Sequence, residues 1–177
     1  MEIRENRVYT IEDIYALPNG ERAELIDGDI YYMAAPGTRH QRLVAMFTRE
    51  IGNYIAAQNG KCEVFPAPVA VFLNADEKTY LEPDIVVICD PDKITEKGCN
   101  GAPDWVVEIV SPSSKYMDYL RKLMLYQAAG VREYWIVDPD REQVVVYHFE
   151  AETMEQYPFG ESVPVGIWEG ELGIKVE

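Results

Sequence analysis

The chain has 177 residues, 47% of them hydrophobic, and a net charge of −15 from 31 Asp and Glu against 16 Lys and Arg. Length and composition fit one folded domain, residues 1–177, and exclude a disordered chain. The acidic balance excludes a broad basic face, from which DNA-binding proteins draw most of their affinity, but leaves room for a carboxylate cluster whose bound cation reverses the local sign.

The N-terminus is charged and lacks an apolar leader core, and no run approaches the ~20 apolar residues of a membrane span. The expectation is a cytoplasmic protein. Cys62, Cys89 and Cys99 are odd in number, at unrelated spacings, with only His40 and His148 to complement them. Free, mostly buried thiols are expected, with no zinc site and no disulfide framework.

In chain order, Thr10 followed by Ile11-Glu12-Asp13 predicts a capped short helix that ends at Pro18-Asn19-Gly20. Residues 22–26 and 29–33 flank Asp27-Gly28 and read as a hairpin. A longer helix starts near Pro36-Gly37-Thr38. Leu43, Phe47, Ile51 and Tyr54 recur there at the spacing of one buried face, and Gly60 closes it. Strands are expected at 62–65 and 69–73, and the apolar runs 85–88 and 105–110 suit central strands covered on both faces. The polar stretch 90–101 reads as a loop with a helical turn. Ser111-Pro112-Ser113-Ser114 opens a helix from about Lys115 to Ala129, with Gly130 as its cap. Residues 134–137 and 144–149 form a second hairpin, and the tail alternates short strands and turns. The order implies an α/β (α+β) fold, a mixed central sheet flanked by helices, with an extra N-terminal hairpin and a C-terminal β segment.

Glu108 interrupts the apolar run 105–110. A carboxylate on a doubly covered strand is costly unless paired or metal-bound; an ion pair or a water-facing strand is the plainer explanation. Asp84 follows Pro83 and opens the run 85–88, a common place for a turn residue. Its interest is a pairing with Glu108, because neighbouring strands lie about 4.8 Å apart and one carboxylate from each can share a divalent cation. Asp104 also precedes a strand, but lies about 13 Å from Glu108 along it, too far to share an ion. Lys122 follows on the next helix, where it either pairs with Asp118 on the surface or stands beside the carboxylates, orienting a water or countering charge. Arg121 is an alternative cation about 100° away around the helix. Glu24 is a further candidate ligand or a solvated strand residue. His40 is a cap neighbour, a substrate contact or a proton carrier. Tyr126 is core or a hydrogen bonder in a site wall.

Taken together, these residues resemble a known family. The stretches Glu24-Leu25-Ile26-Asp27-Gly28, Pro83-Asp84-Ile85-Val86-Val87, Pro103 through Glu108 to Ser113, and Lys122 through Gly130-Val131-Arg132-Glu133-Tyr134-Trp135 to Pro139 resemble the Uma-type restriction endonucleases of the PD-(D/E)XK nuclease superfamily. The resemblance runs from about Tyr9 to Phe149. It implies an αβββαβ core and hydrolysis of nucleic-acid phosphodiester bonds, DNA being the expected substrate. It implies Mg²⁺, with Mn²⁺ as a substitute, held by Asp84 and Glu108, the backbone carbonyl of Ile109, and Glu24 as a further acidic position. Val110 stands where the superfamily pattern has lysine, and Lys122 matches the place from which the family supplies it. His40, Arg121 and Tyr126 are candidate substrate contacts, and a homodimer is expected by analogy. Two rivals remain: a non-catalytic binding or regulatory protein on the same fold, favoured by the charge, and a glycosidase using Asp84 and Glu108 as acid and base.

Overall fold

The computed structural model describes residues 7–111 and 117–177, the side chain of Asp118 excepted. Residues 112–115 of the expected helix opening and the expected Asp118–Lys122 pair lie outside the described residues.

Helix α1 (Ile11–Tyr15) is capped as its sequence predicts: Thr10 is extended, and its backbone N–H donates to Asp13 Oδ2 at 2.9 Å. Strands β1 (Ala23–Ile26) and β2 (Asp29–Tyr32) form the first hairpin. Its turn has φ of +54° at Asp27 and +85° at Gly28, so the second position needs a residue without a Cβ. Helix α2 (Thr38–Ala57) buries Leu43, Val44, Phe47 and Ile51. Strands β3 (Glu63–Pro66), β4 (Val71–Phe72) and β5 (Ile85–Ile88) follow.

The stretch after β5 departs from expectation. A short helical turn at Pro91–Lys93 is present, but β6 (Ile94–Thr95) and β7 (Gly98–Asn100) pair as a small hairpin, and β7 also pairs with β4. Strands this short and polar leave no alternating pattern to read. The expected strand at 69–73 contracts to β4.

Strand β8 (Trp105–Ile109) is buried along its whole length. The chain then turns through a π-helical stretch, Met117–Lys122, into α3 (Leu123–Ala129), which Gly130 closes at φ +89°. Strands β9 (Glu133–Asp138), β10 (Gln143–His148), β11 (Thr153–Pro158), β12 (Ser162–Pro164) and β13 (Gly173–Lys175) complete the chain.

Six strands form the main sheet in the order β11-β10-β9-β8-β5-β3. Within this sheet, among the described residues, β8 and β9 are the one parallel pair. A parallel pair needs a long crossover, which the π-helical stretch and α3 supply. Chain order from α2 to β9 is therefore αβββαβ, with β4 and the β6–β7 hairpin as insertions.

Alternation along the strands divides the core. Ile85, Val87, Trp105, Val107, Ile109, Trp135 and Val137 pack with α2 and with Val163, Val165, Ile174 and Val176 of the C-terminal segment. Val86, Ile88, Val106, Tyr134 and Ile136 face the other way, toward Tyr126 of α3 and the inserted strands. Trp105 and Trp135 lie 4.8 Å apart, and Phe47 meets Trp135 edge-on at 6.1 Å. Such pairs add about 0.5–1.5 kcal/mol beyond their area burial. The C-terminal segment is held by buried Glu133: its carboxylate accepts from Trp135 Nε1 at 2.6 Å, Gly166 N at 3.0 Å and Ile167 N at 2.7 Å.

The cysteine expectation is corrected. Cys62 and Cys89 form a disulfide, while Cys99 is free and buried, which pushes its thiol up to about 11. The physical reason is register. Glu63 pairs with Ile88 across antiparallel β3 and β5, so the residues just beyond them face each other although 27 positions apart in sequence.

Candidate active site

The site is assembled at one end of the β5–β8 pair. Ile85 pairs with Val107 in an antiparallel register, and one further step sets Asp84 opposite Glu108. Opposed residues share a face, here the face that carries Val86, Val106 and α3. Asp84 N lies 3.4 Å from Glu108 Oε2, and Ile109 N donates to Asp84 Oδ2 at 2.8 Å.

Lys122 reaches the same place from the end of the π-helical stretch. Its ammonium donates to Glu108 Oε1 at 2.9 Å and lies 2.8 Å from Glu24 Oε2. Tyr126, one helical turn later, donates its hydroxyl to Glu108 Oε1 at 3.0 Å. Burial, and then the charge of Glu108, hold the Tyr126 hydroxyl well above the usual tyrosine range, so it stays a donor.

Glu24, on β1, is fixed at both oxygens, since Oε1 accepts from Glu82 N at 3.0 Å. Glu82 is itself tied to Arg22 Nε and to the Tyr80 hydroxyl, each at 2.7 Å. Sequence reasoning passed over Glu82; its only signal was its place beside Pro83-Asp84.

His40 comes from the first turn of α2, and its Nε2 lies 3.1 Å from Asp84 Oδ2. Exposure grades the group: the side chains of Lys122, Glu24 and Glu108 are 5–7% exposed, those of Asp84 and His40 15% and 18%. Asp84 and His40 thus form the rim and the other three the floor.

Arg121 points elsewhere. It hydrogen-bonds the Tyr31 hydroxyl, covers the Tyr31 ring at 5.5 Å and lies 3.9 Å from Asp29. Asp104 is structural: it accepts from Cys89 N at 2.8 Å and pairs with Arg132.

Among the described residues no three His, Cys, Asp or Glu side chains converge as a preformed metal cage. The donors fit a more open site. Mg²⁺ is commonly bound by one or two carboxylates, with water and substrate phosphate oxygens completing its shell. Here two carboxylates on adjacent strands oppose each other where the floor meets the partly open rim, and two carboxylates flank one ammonium. Charge and donor type both suit a hard divalent cation.

Residues 11–175 match the profile of the Uma2 family, described as "Putative restriction endonuclease". The chain belongs to the Uma2 family. Two uncharacterized Synechocystis proteins, slr1290 and sll1609, are similar to it. The first is 26% identical over 129 residues, 72% of this chain and 66% of the relative. The second is 26% identical over 121 residues, 67% of each. The matches thus span about two thirds of these relatives. A crystal structure described as "a putative nuclease belonging to DUF820", from Anabaena variabilis, superposes with a TM-score of 0.76 at 23% identity, covering 94% of both chains. That likeness establishes the Uma2 chain's fold. Among the described residues no helix is long and apolar enough to cross a membrane.

Proposed function

We propose that this chain is a divalent-cation-dependent endonuclease that hydrolyses nucleic-acid phosphodiester bonds, with Asp84, Glu108 and Lys122 as its working residues. The observation that carries the reading is the convergence on Glu108: a carboxylate opposite it on the neighbouring strand, and an ammonium 2.9 Å away from the following helix. Family membership and the fold of the Anabaena protein, described as "a putative nuclease", support the same class of chemistry.

Asp84 and Glu108 hold the cation, Mg²⁺ or Mn²⁺, with the Ile109 carbonyl as a further oxygen donor. The bound ion supplies Lewis-acid polarisation and a water of lowered pKa. Lys122 donates to the attacking water and counters negative charge growing on the phosphoryl oxygens. Glu24 positions Lys122, and Tyr126 steadies Glu108. His40, at the rim, faces the entering phosphodiester. A DNA substrate, a single 1–177 domain and a symmetric dimer cutting both strands are parts of the same reading.

The charge of −15 favours the alternative of a non-catalytic binding protein on this fold. One experiment separates the two. Mg²⁺ and Mn²⁺ are titrated calorimetrically into wild type and Glu108→Ala, and both proteins are assayed on plasmid DNA, single-stranded DNA and RNA. The nuclease reading expects binding and cleavage in wild type and neither in a folded Glu108→Ala. Full cleavage with both carboxylates removed would sink it.

A further inference from the structure

With a net charge of −15, attraction of a phosphate backbone must come from cations grouped at one place. Two arginines stand together on one flank of the site. Strand β9 runs parallel to β8, with Ile136 beside Glu108 and Val137 beside Ile109. Asp138 and the turn 139–142 therefore open at the same end of the sheet as Glu108. Helix α2 begins there too, because His40 in its first turn reaches Asp84.

Arg39 precedes His40 and is turned about 100° from it around the helix. It reaches the 139–142 turn, where its Nη2 lies 3.7 Å from Glu142 Oε1. Arg141 is the neighbouring residue of that turn. The two arginine side chains are 56% and 65% exposed. Glu142 is exposed as well, and an ion pair so open to water is readily exchanged for another anion. Asp138 is buried, and its Oδ1 accepts from Asp140 N at 3.1 Å and Arg141 N at 3.2 Å. Those bonds fix the turn backbone, while the Arg141 guanidinium stays at the surface, its Nε 3.9 Å from Asp138 Oδ2. The turn lies one to two strand spacings from β8, roughly 5–10 Å. Phosphates of one strand follow at about 3.4 Å of axial rise, which sets the arginines about two or three nucleotides from a phosphodiester at Glu108.

We propose that Arg39 and Arg141 form a phosphate clamp that grips the nucleic-acid backbone beside the scissile bond without reading bases. A guanidinium fork matches phosphate oxygens with two parallel hydrogen bonds, and such contacts set affinity and register, not sequence. The inference rests on the nucleic-acid reading above and adds where the strand lies.

The test compares wild type, Arg39→Gln, Arg141→Gln, the double variant and Arg49→Gln. Arg49 is the control: it lies on the same helix about 15 Å further from the site, equally exposed and paired with Glu50. A short fluorescein-labelled DNA strand, its duplex and the RNA strand of the same sequence are the probes. Binding is followed by anisotropy across a KCl series, with Ca²⁺ replacing Mg²⁺ to separate binding from cleavage. KM and kcat are then measured with Mg²⁺ or Mn²⁺. Each single variant should flatten the plot of log Kd against log salt by about 0.7–0.9, and the double variant by about twice that. Affinity at 0.1 M salt should fall about five- to tenfold per arginine. KM should rise with kcat nearly constant, and Arg49→Gln should match wild type. Slopes unchanged in the Arg39 and Arg141 variants, or changed equally in Arg49→Gln, overturn the clamp, while cleavage by wild type keeps the endonuclease reading standing. Binding with the expected slopes but no cleavage supports the clamp and overturns the endonuclease reading. No binding of any probe to wild type overturns both.

Discussion

Replacing Lys122 by Met tests how the buried charges are balanced. The ammonium lies 2.8 Å from Glu24 and 2.9 Å from Glu108, and all three side chains are at most 7% exposed. Met keeps most of the stem and its packing, so the change isolates the charge. Removing one partner of a buried ion pair costs about 3–5 kcal/mol, because the remaining charge stays desolvated. Here two carboxylates lose the same cation, which places the loss at about 4 kcal/mol or more. For a chain of this size each kcal/mol shifts Tm by about 2–4 °C, so a drop of about 8–16 °C is expected. Urea and thermal unfolding at pH 7 measure it. The double variant Glu24→Gln/Lys122→Met removes a negative charge together with the positive one, and should recover about 1–3 kcal/mol of the loss. A Lys122→Met protein within about 1 kcal/mol of wild type at pH 7 would show that the ammonium does not compensate these carboxylates, and the charge argument for the site would fail with it.

Tyr126→Phe removes the hydroxyl at 3.0 Å from Glu108 and should cost about 1.5–3 kcal/mol by urea unfolding. In wild type the folded-state pKa of Tyr126 is raised, so its contribution is complete below the unfolded value of about 10 and is lost as pH climbs beyond it. An alkaline absorbance titration should find this tyrosine ionising only as the fold is lost. Glu133→Gln puts an amide N–H₂ where the carboxylate accepts from Trp135, Gly166 and Ile167. A loss of about 1–3 kcal/mol is expected, with limited proteolysis in the segment after β11 as the readout. Gly98→Ala adds a Cβ against the backbone carbonyl of Ala70 at φ +136°, so both the left-handed backbone and a contact that cannot yield oppose it. A loss of about 2 kcal/mol or more should appear as a lower unfolding midpoint.

Much of the fold was legible because its signals are local. The stripe of Leu43, Phe47 and Ile51 is a helix face whatever surrounds it, and the apolar runs of β5 and β8 can only be covered strands. Asp27-Gly28 specifies a tight turn through backbone conformation alone. Hidden were features in which sequence pattern is silent: the polar β6–β7 hairpin, and the π-helical stretch that brings Lys122 round to Glu108.

For the site, the sequence by itself determined which residue is out of place: a carboxylate inside 105–110 announces a burial cost that something must meet. What meets it was decided by tertiary structure. Strand register set Asp84 against Glu108 and joined Cys62 to Cys89. The turn of one helix chose Lys122 over Arg121, and the approach of α2 from distant sequence left His40 on Asp84. The reason is one of range: the cost of burying a charge is carried by the residue itself, whereas its partner is fixed by packing among elements that the chain brings together only when the whole sheet has formed.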